Sequence, residues 1–146
     1  MGRRRKAREA TIQILFQLEF NEGTLEEILN QYWKSKKAEK EVREYSSWLV
    51  KNILKHKDDL DRIIQSKSEH WRLSRMAVID RNILRMAVFE LIHKENLAPA
   101  IVINEAIEVA KKYSSVQSAN FINGILDAVN KAYEREKNLP KGGTNG

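Results

Sequence analysis

Residues 42–63 read VREYSSWLVKNILKHKDDLDRI, and Val42, Tyr45, Leu49, Ile53, His56, Leu60 and Ile63 recur along them at steps of three or four. Steps of that size put seven side chains on one face of a helix, whereas a strand would alternate in twos. The run predicts one long helical spine. Similar spacing continues on either side. Upstream, Ala7, Thr11, Ile14 and Leu18 form a stripe flanked by Ala10 and Leu15, and Asn21-Glu22-Gly23 stops it. Thr24 and Glu27 have the spacing of a capping box and open a second helix whose inner face holds Ile28, Leu29, Tyr32 and Trp33. A lysine-rich stretch, 34–40, joins it to the spine.

Downstream of the spine, residues 66–74 are polar apart from Trp71 and Leu73 and read as a hinge. Ser74 is the expected N-cap of a fourth helix, from Arg75 to about Glu95, with Ile79, Ile83, Leu84, Ala87, Leu91 and Ile92 turned inward. Pro99 suits a helix's first turn, where its missing N–H costs nothing, and Val102, Ala106, Val109 and Tyr113 follow as a fifth stripe. Ser115 or Ser118 caps a sixth helix carrying Ile122, Ile125, Leu126, Val129 and Tyr133. The expected fold is therefore all-α, a single domain over 1–137 made of two packed three-helix subdomains, about 3–66 and 74–137. Residues 138–146, with Pro140 and three glycines, are too poor in apolar side chains to pack and are expected to be disordered.

A chain of 146 residues can bury its own core without staples, and the absence of cysteine excludes a disulfide framework or a thiolate metal site. No apolar stretch approaches the roughly 18 residues that span a bilayer, and the basic start lacks the apolar region of a secretory signal. A soluble cytoplasmic protein is expected. An arginine-rich start running into an amphipathic helix also fits an organelle transit peptide, but the helical pattern continues past it without a break.

The charge is unevenly placed. The chain has 26 Lys+Arg against 20 Asp+Glu, and five of those cations, Arg3, Arg4, Arg5, Lys6 and Arg8, lie in the first eight residues, leaving the rest close to neutral. A cationic cluster held at the start of a helix can meet a polyanion in fixed geometry. On a helical wheel Phe16 lies away from the Ala7/Ile14/Leu18 stripe, in line with Arg5, Glu9 and Ile12 and near Gln13. That combination offers guanidinium groups for phosphates, a ring for base stacking and an amide for a base edge. The competing reading buries Phe16 between the two halves of the protein.

Catalysis finds little. His56, His70 and His93 have no metal-ligand spacing, there is no glycine-rich phosphate loop or nucleophile elbow, and Asp58, Asp59 and Asp61 alternate with Lys55, Lys57 and Arg62 as a solvated helix flank does. His56 reads as a half-buried core imidazole. Neither a cofactor nor a metal is expected, and the chain is not expected to be an enzyme.

With these features placed, the chain resembles the NusB family of bacterial transcription antitermination factors from Arg3 to about Tyr133. The match is carried by residues 4–10 (RRKAREA), by 71–75 with 79–87 (IDRNILRMA) and Glu90-Leu91, and by 103–113 (INEAIEVAKKY) continued by 121–127 (FINGILD). Ser114 departs from the glycine common in the family, so the turn before the last helix is expected to differ. The resemblance implies an RNA-binding protein that pairs with NusE, a small-subunit ribosomal protein, recognises single-stranded boxA RNA of ribosomal RNA leaders and joins an RNA polymerase antitermination complex. It places Arg3, Arg4, Arg5, Lys6, Arg8, Gln13, Phe16, Phe121 and Asn123 at the RNA, and Asp80, Arg81 and Glu90 at the protein partner. Gly124 reads more simply as room for close helix packing, and Asn104 and Glu105 as local caps or pairs. A helical targeting module for ribosomal RNA modification and a structural adaptor are the rival readings.

Overall fold

The computed structural model describes residues 2–93 and 97–137. Seven α-helices carry the described chain: α1 (Gly2–Phe20), α2 (Leu25–Lys34), α3 (Lys40–Lys55), α4 (Lys57–Ser66), α5 (Val78–His93), α6 (Pro99–Tyr113) and α7 (Val116–Lys137), with a 3₁₀ turn at Leu73–Arg75. The described residues contain no strand. The expected tail, 138–146, and the expected end of the fourth helix near Glu95 lie outside them.

Several local signals act as their chemistry requires. The Thr24 hydroxyl accepts from the Glu27 amide at 3.2 Å while the Glu27 carboxylate accepts from the Thr24 amide at 2.8 Å, closing the capping box of α2. Pro99 occupies the first turn of α6. Of the two serines offered as the cap of α7, Ser115 serves, its hydroxyl accepting from the Ser118 amide at 2.9 Å. Ser114 ends α6 at φ −130°, outside the left-handed region that a glycine would open.

The spine departs from expectation. His56, at φ −104° and ψ 16°, ends α3 and starts α4, so the row from Val42 to Ile63 is two helices sharing one buried face. Periodicity reports which face is apolar and not whether the axis turns. Here the turn lays α4 along α5, where Asp61 receives Arg85 at 2.7 and 3.0 Å. Asp59 meets Arg62, so two of the three clustered aspartates are held by arginines. His56 stacks on Phe89 and His93, with ring centroids 5.9 and 5.1 Å away.

The hinge is tied rather than open. The Gln65 amide donates to the carbonyls of Ser68 and Trp71 and accepts from the Leu73 amide, and the Ser68 hydroxyl also donates to the Trp71 carbonyl. Ser74 sits inside the 3₁₀ turn, and extended backbone at Met76 delays α5 to Val78. From Asn82 to Leu91 every residue of α5 is buried, because α1, α3, α4, α6 and α7 all pack against it. One apolar cluster runs from Ala10 of α1 to Val129 of α7. At about 25 cal/mol per Å² of apolar surface removed from water, that burial is the main force holding the seven helices together.

Candidate nucleic-acid interface

Helix α1 is gripped on several sides, packing against α2, α3, α5 and α6. Its buried arc is correspondingly wide, taking in Ala7, Arg8, Ala10, Thr11, Ile12, Ile14 and Leu15. Thr11 donates to or accepts from Ser46 of α3 at 2.9 Å inside this contact. The first turn and the last turn and a half emerge furthest, carrying Arg3, Arg4 and Lys6 at one end and Phe16 at the other.

The five amino-terminal cations are not equivalent. Arg8 is 2% exposed, and its Nε donates to the Glu90 carboxylate at 2.9 and 3.2 Å. Tyr45 donates its hydroxyl to the same carboxylate, and burial, reinforced by Glu90, pushes that phenol well above its ordinary pKa, so it stays a donor. The expectation that Arg8 meets RNA is therefore corrected: its guanidinium is spent inside, fixing α1 to α5. Arg5 forms a fork with Glu105 of α6 at 3.0 and 2.7 Å. Glu105 is thus a long-range partner rather than a local one. Arg3 pairs with Glu39 at 2.6 Å and reaches Glu41 at 3.5 Å. Arg4 lies over the Tyr45 ring, 3.7 Å from its centroid, and remains exposed, while Lys6 is exposed and makes no ion pair among the described residues.

Hydrogen bonding from Arg5 holds the Glu105 carboxyl below the usual range, against an opposing push from burial. A carboxyl depressed in the folded state stabilises the fold above its unfolded value, about 4.3, and that contribution is lost as pH falls through the lower folded value. Glu105→Gln should accordingly flatten the acid side of a urea-midpoint profile below about pH 4.3. An unchanged profile would show that the fork contributes nothing to acid sensitivity.

Phe16 is 42% exposed, against the reading that buried it, and tilts against exposed Phe20 with ring centroids 4.8 Å apart. It overlooks a cleft of about 660 Å³ between α1 and α2, lined also by Gln13, Gln17, Gln31, Tyr32 and Lys36. Ile12, placed on the same outward line, is instead covered. Gln13 is held at both ends of its amide: Oε1 accepts from the Tyr32 hydroxyl at 2.5 Å and Nε2 donates to Tyr113 at 3.3 Å. Tyr113 and Lys112 in turn donate to Glu9 at 3.2 and 3.0 Å. Gln13 thus ties α1 to α2 and α6, and the amides of Gln17 and Gln31 are left without partners among the described residues.

Residues 34–40 do more than join α2 to α3: Lys36 lies over the Tyr32 ring at 5.1 Å, and Lys6, Lys36 and Lys37 line a second cleft that shares Gln13 and Tyr32 with the first. The signal available was the lysine density itself. Phe121 is partly buried against the core and Asn123 is exposed on α7, and neither lines the cleft beside Phe16. Gly124 has open space where a Cβ would point, so close packing does not explain it.

The three residues expected at the protein partner differ in burial. Glu90 is 1% exposed and belongs to the Arg8–Tyr45 clamp. Asp80 is buried and accepts the Ser118 hydroxyl at 2.8 Å. Arg81, half-buried, donates to the Ser74 carbonyl at 3.2 Å and lies 3.6 Å from Glu19. Neighbouring helices thus answer part of the polar surface of α5, while Asp80 Oδ1 and Arg81 Nε find no partner among the described residues.

The fold and this face define a small all-helical protein that displays a cationic, aromatic surface at its amino end. The NusB family model matches residues 5–131. The transcription antitermination protein NusB of Thermodesulfovibrio yellowstonii is 38% identical over 139 residues, covering 88% of this chain and 92% of that protein. That of Syntrophus aciditrophicus is 43% identical over 129 residues, covering 88% and 80%. Among solved structures, T. maritima NusB superposes with a TM-score of 0.79 at 35% identity over 90% of this chain and 92% of its own. A chain in a crystal structure of antitermination factors NusB and NusE with double-stranded RNA gives 0.80 at 30% identity over 91% and 99%. The chain belongs to the NusB family of transcription antitermination proteins. No described helix is long and apolar enough to cross a membrane.

Proposed function

We propose that this protein is a non-catalytic, RNA-binding antitermination factor that pairs with NusE and holds single-stranded boxA RNA of ribosomal RNA leaders. The observation that carries the reading is the exposed Phe16 ring above an amide-lined cleft, bordered by Lys36 and leading to Lys6 and Lys37. Cations supply affinity for phosphate without sequence, while a ring and unpartnered amides can tell one unpaired base from another. Arg4 and Lys6 are the amino-terminal cations free for phosphate. Arg3 and Arg5 border the site with part of their charge already answered, and Arg8 positions them from below. Phe121 and Asn123 would extend the RNA surface onto α7. The similarity to a NusB chain solved with NusE and double-stranded RNA supports NusE and RNA as partners, and the single-stranded boxA preference rests on the exposed ring and the amides.

The test is a titration of boxA-like single-stranded RNA, with and without NusE, at several salt concentrations. For single strands log affinity falls with log salt by about 0.7 per phosphate contacted. Combined Arg4→Ala and Lys6→Ala should weaken binding and reduce that slope by about 1.4, two contacts' worth. An unchanged affinity and slope in the NusE complex would reject the reading and leave a helical adaptor.

A further inference from the structure

The corner where α2 hands over to α3 carries a third cleft, of about 520 Å³, lined by Asn30, Trp33, Lys34, Lys40, Arg43, Glu44 and Ser47. Three cations face one carboxylate there. Lys40 comes no closer than 3.9 Å to Glu44, and Lys34 and Arg43 make no ion pair among the described residues. The imbalance has a local cause. Glu39, one helical turn before Arg43 and its natural i,i+4 partner, is taken by Arg3 at 2.6 Å, and Glu41 is drawn the same way. A solvated helix flank would pair these charges with one another, whereas here the amino terminus removes the acids and leaves the bases. The indole N–H of Trp33 is buried with no acceptor among the described residues. A buried donor without a partner is costly.

The three clefts are neighbours that share lining residues. Gln13, Tyr32 and Lys36 line both the cleft beside Phe16 and the one beside Lys6, and Trp33 lines both the latter and the α2–α3 corner. The geometry points to the α2–α3 corner, through Lys34, Lys40 and Arg43, as a second and sequence-independent phosphate-binding surface, occupied by the ribose-phosphate backbone of the RNA that flanks the base-read segment. The planar guanidinium of Arg43 suits two phosphate oxygens at once, and the lysines add point charge. This inference rests on the RNA-binding reading above and assigns the path of the strand beyond it.

The experiment compares the full chain with NusE on a minimal boxA-like RNA and on the same RNA lengthened by about six nucleotides at one end or the other, a length within the reach of a single-strand groove. Wild type should gain affinity with one of the two extensions. If three phosphates are engaged, that gain should be about 20-fold larger at 50 mM than at 200 mM salt. The combined Lys34→Ala, Lys40→Ala and Arg43→Ala variant changes only exposed side chains. It should bind the minimal RNA as wild type does, melt at the same temperature and gain nothing from either extension. A variant that keeps the extension gain, or a wild type with no gain at either end, overturns the assignment while leaving minimal-RNA binding intact. Failure to bind the minimal RNA overturns the RNA reading itself, and this inference with it.

Discussion

Glu90→Ala should cost the fold about 3–5 kcal/mol, read as a fall in urea midpoint, although Glu90 lies on no surface. The carboxylate accepts from Arg8 at 2.9 and 3.2 Å and from the Tyr45 hydroxyl, and it joins α1, α3 and α5 at one buried point. Removing it strands a guanidinium that is almost fully enclosed, with Glu105 still 3.7 Å from its Nη1. One compensating carboxylate at that distance does not replace a hydrogen-bonded one. The double replacement Arg8→Met with Glu90→Met should be milder than Glu90→Ala alone, because it removes the charge together with its partner. A loss below about 1 kcal/mol for Glu90→Ala would mean that water reaches Arg8.

The clamp also bears on function through geometry. Arg4 and Lys6 keep their positions only if the first turns of α1 hold their rotation, and Arg8 with Arg5 sets that rotation against α5 and α6. Glu90→Ala should therefore weaken RNA binding without flattening its salt slope, since no phosphate contact is removed. That separates a positioning residue from a contacting one.

The helical class was legible because three- and four-residue spacing is written along nearly every segment, and the capping box and Pro99 marked helix starts through backbone chemistry that needs no tertiary context. What spacing cannot carry is direction and company. The row through His56 looked like one axis because a bend that keeps the same face inward leaves the period intact. Arg8 looked like part of a solvated basic cluster because its partner lies 82 residues away. Asp80 and Glu90 looked like surface charges because α5 is enclosed on all sides, and the acids that suit a surface equally suit a buried serine or arginine. Phe16 and Phe121 were both balanced between core and surface, and the outcome depended on how far each helix extends past its neighbours: Phe16 emerges, and Phe121 packs partly against the core.

Phe16→Ala should weaken binding of boxA-like RNA in the NusE complex by about 1–3 kcal/mol, the usual worth of a base stacked on an aromatic ring. That corresponds to roughly 5- to 150-fold in dissociation constant. The ring is 42% exposed and lies outside the buried apolar cluster, so its removal should leave the melting temperature nearly unchanged. Phe20, more exposed and tilted against it, keeps the neighbouring surface aromatic, and Phe16→Tyr should retain most of the affinity because the stacking face survives. The salt dependence is the sharper discriminator. Stacking releases no counterions, so the slope should match wild type while the affinity falls, the reverse of the slope loss expected for Arg4 and Lys6. A flatter slope in Phe16→Ala would mean that the ring organises neighbouring cations. Full affinity at an unchanged melting temperature would take the base away from Phe16 and leave the cleft's unpartnered amides, Gln17 and Gln31, as the groups to read it.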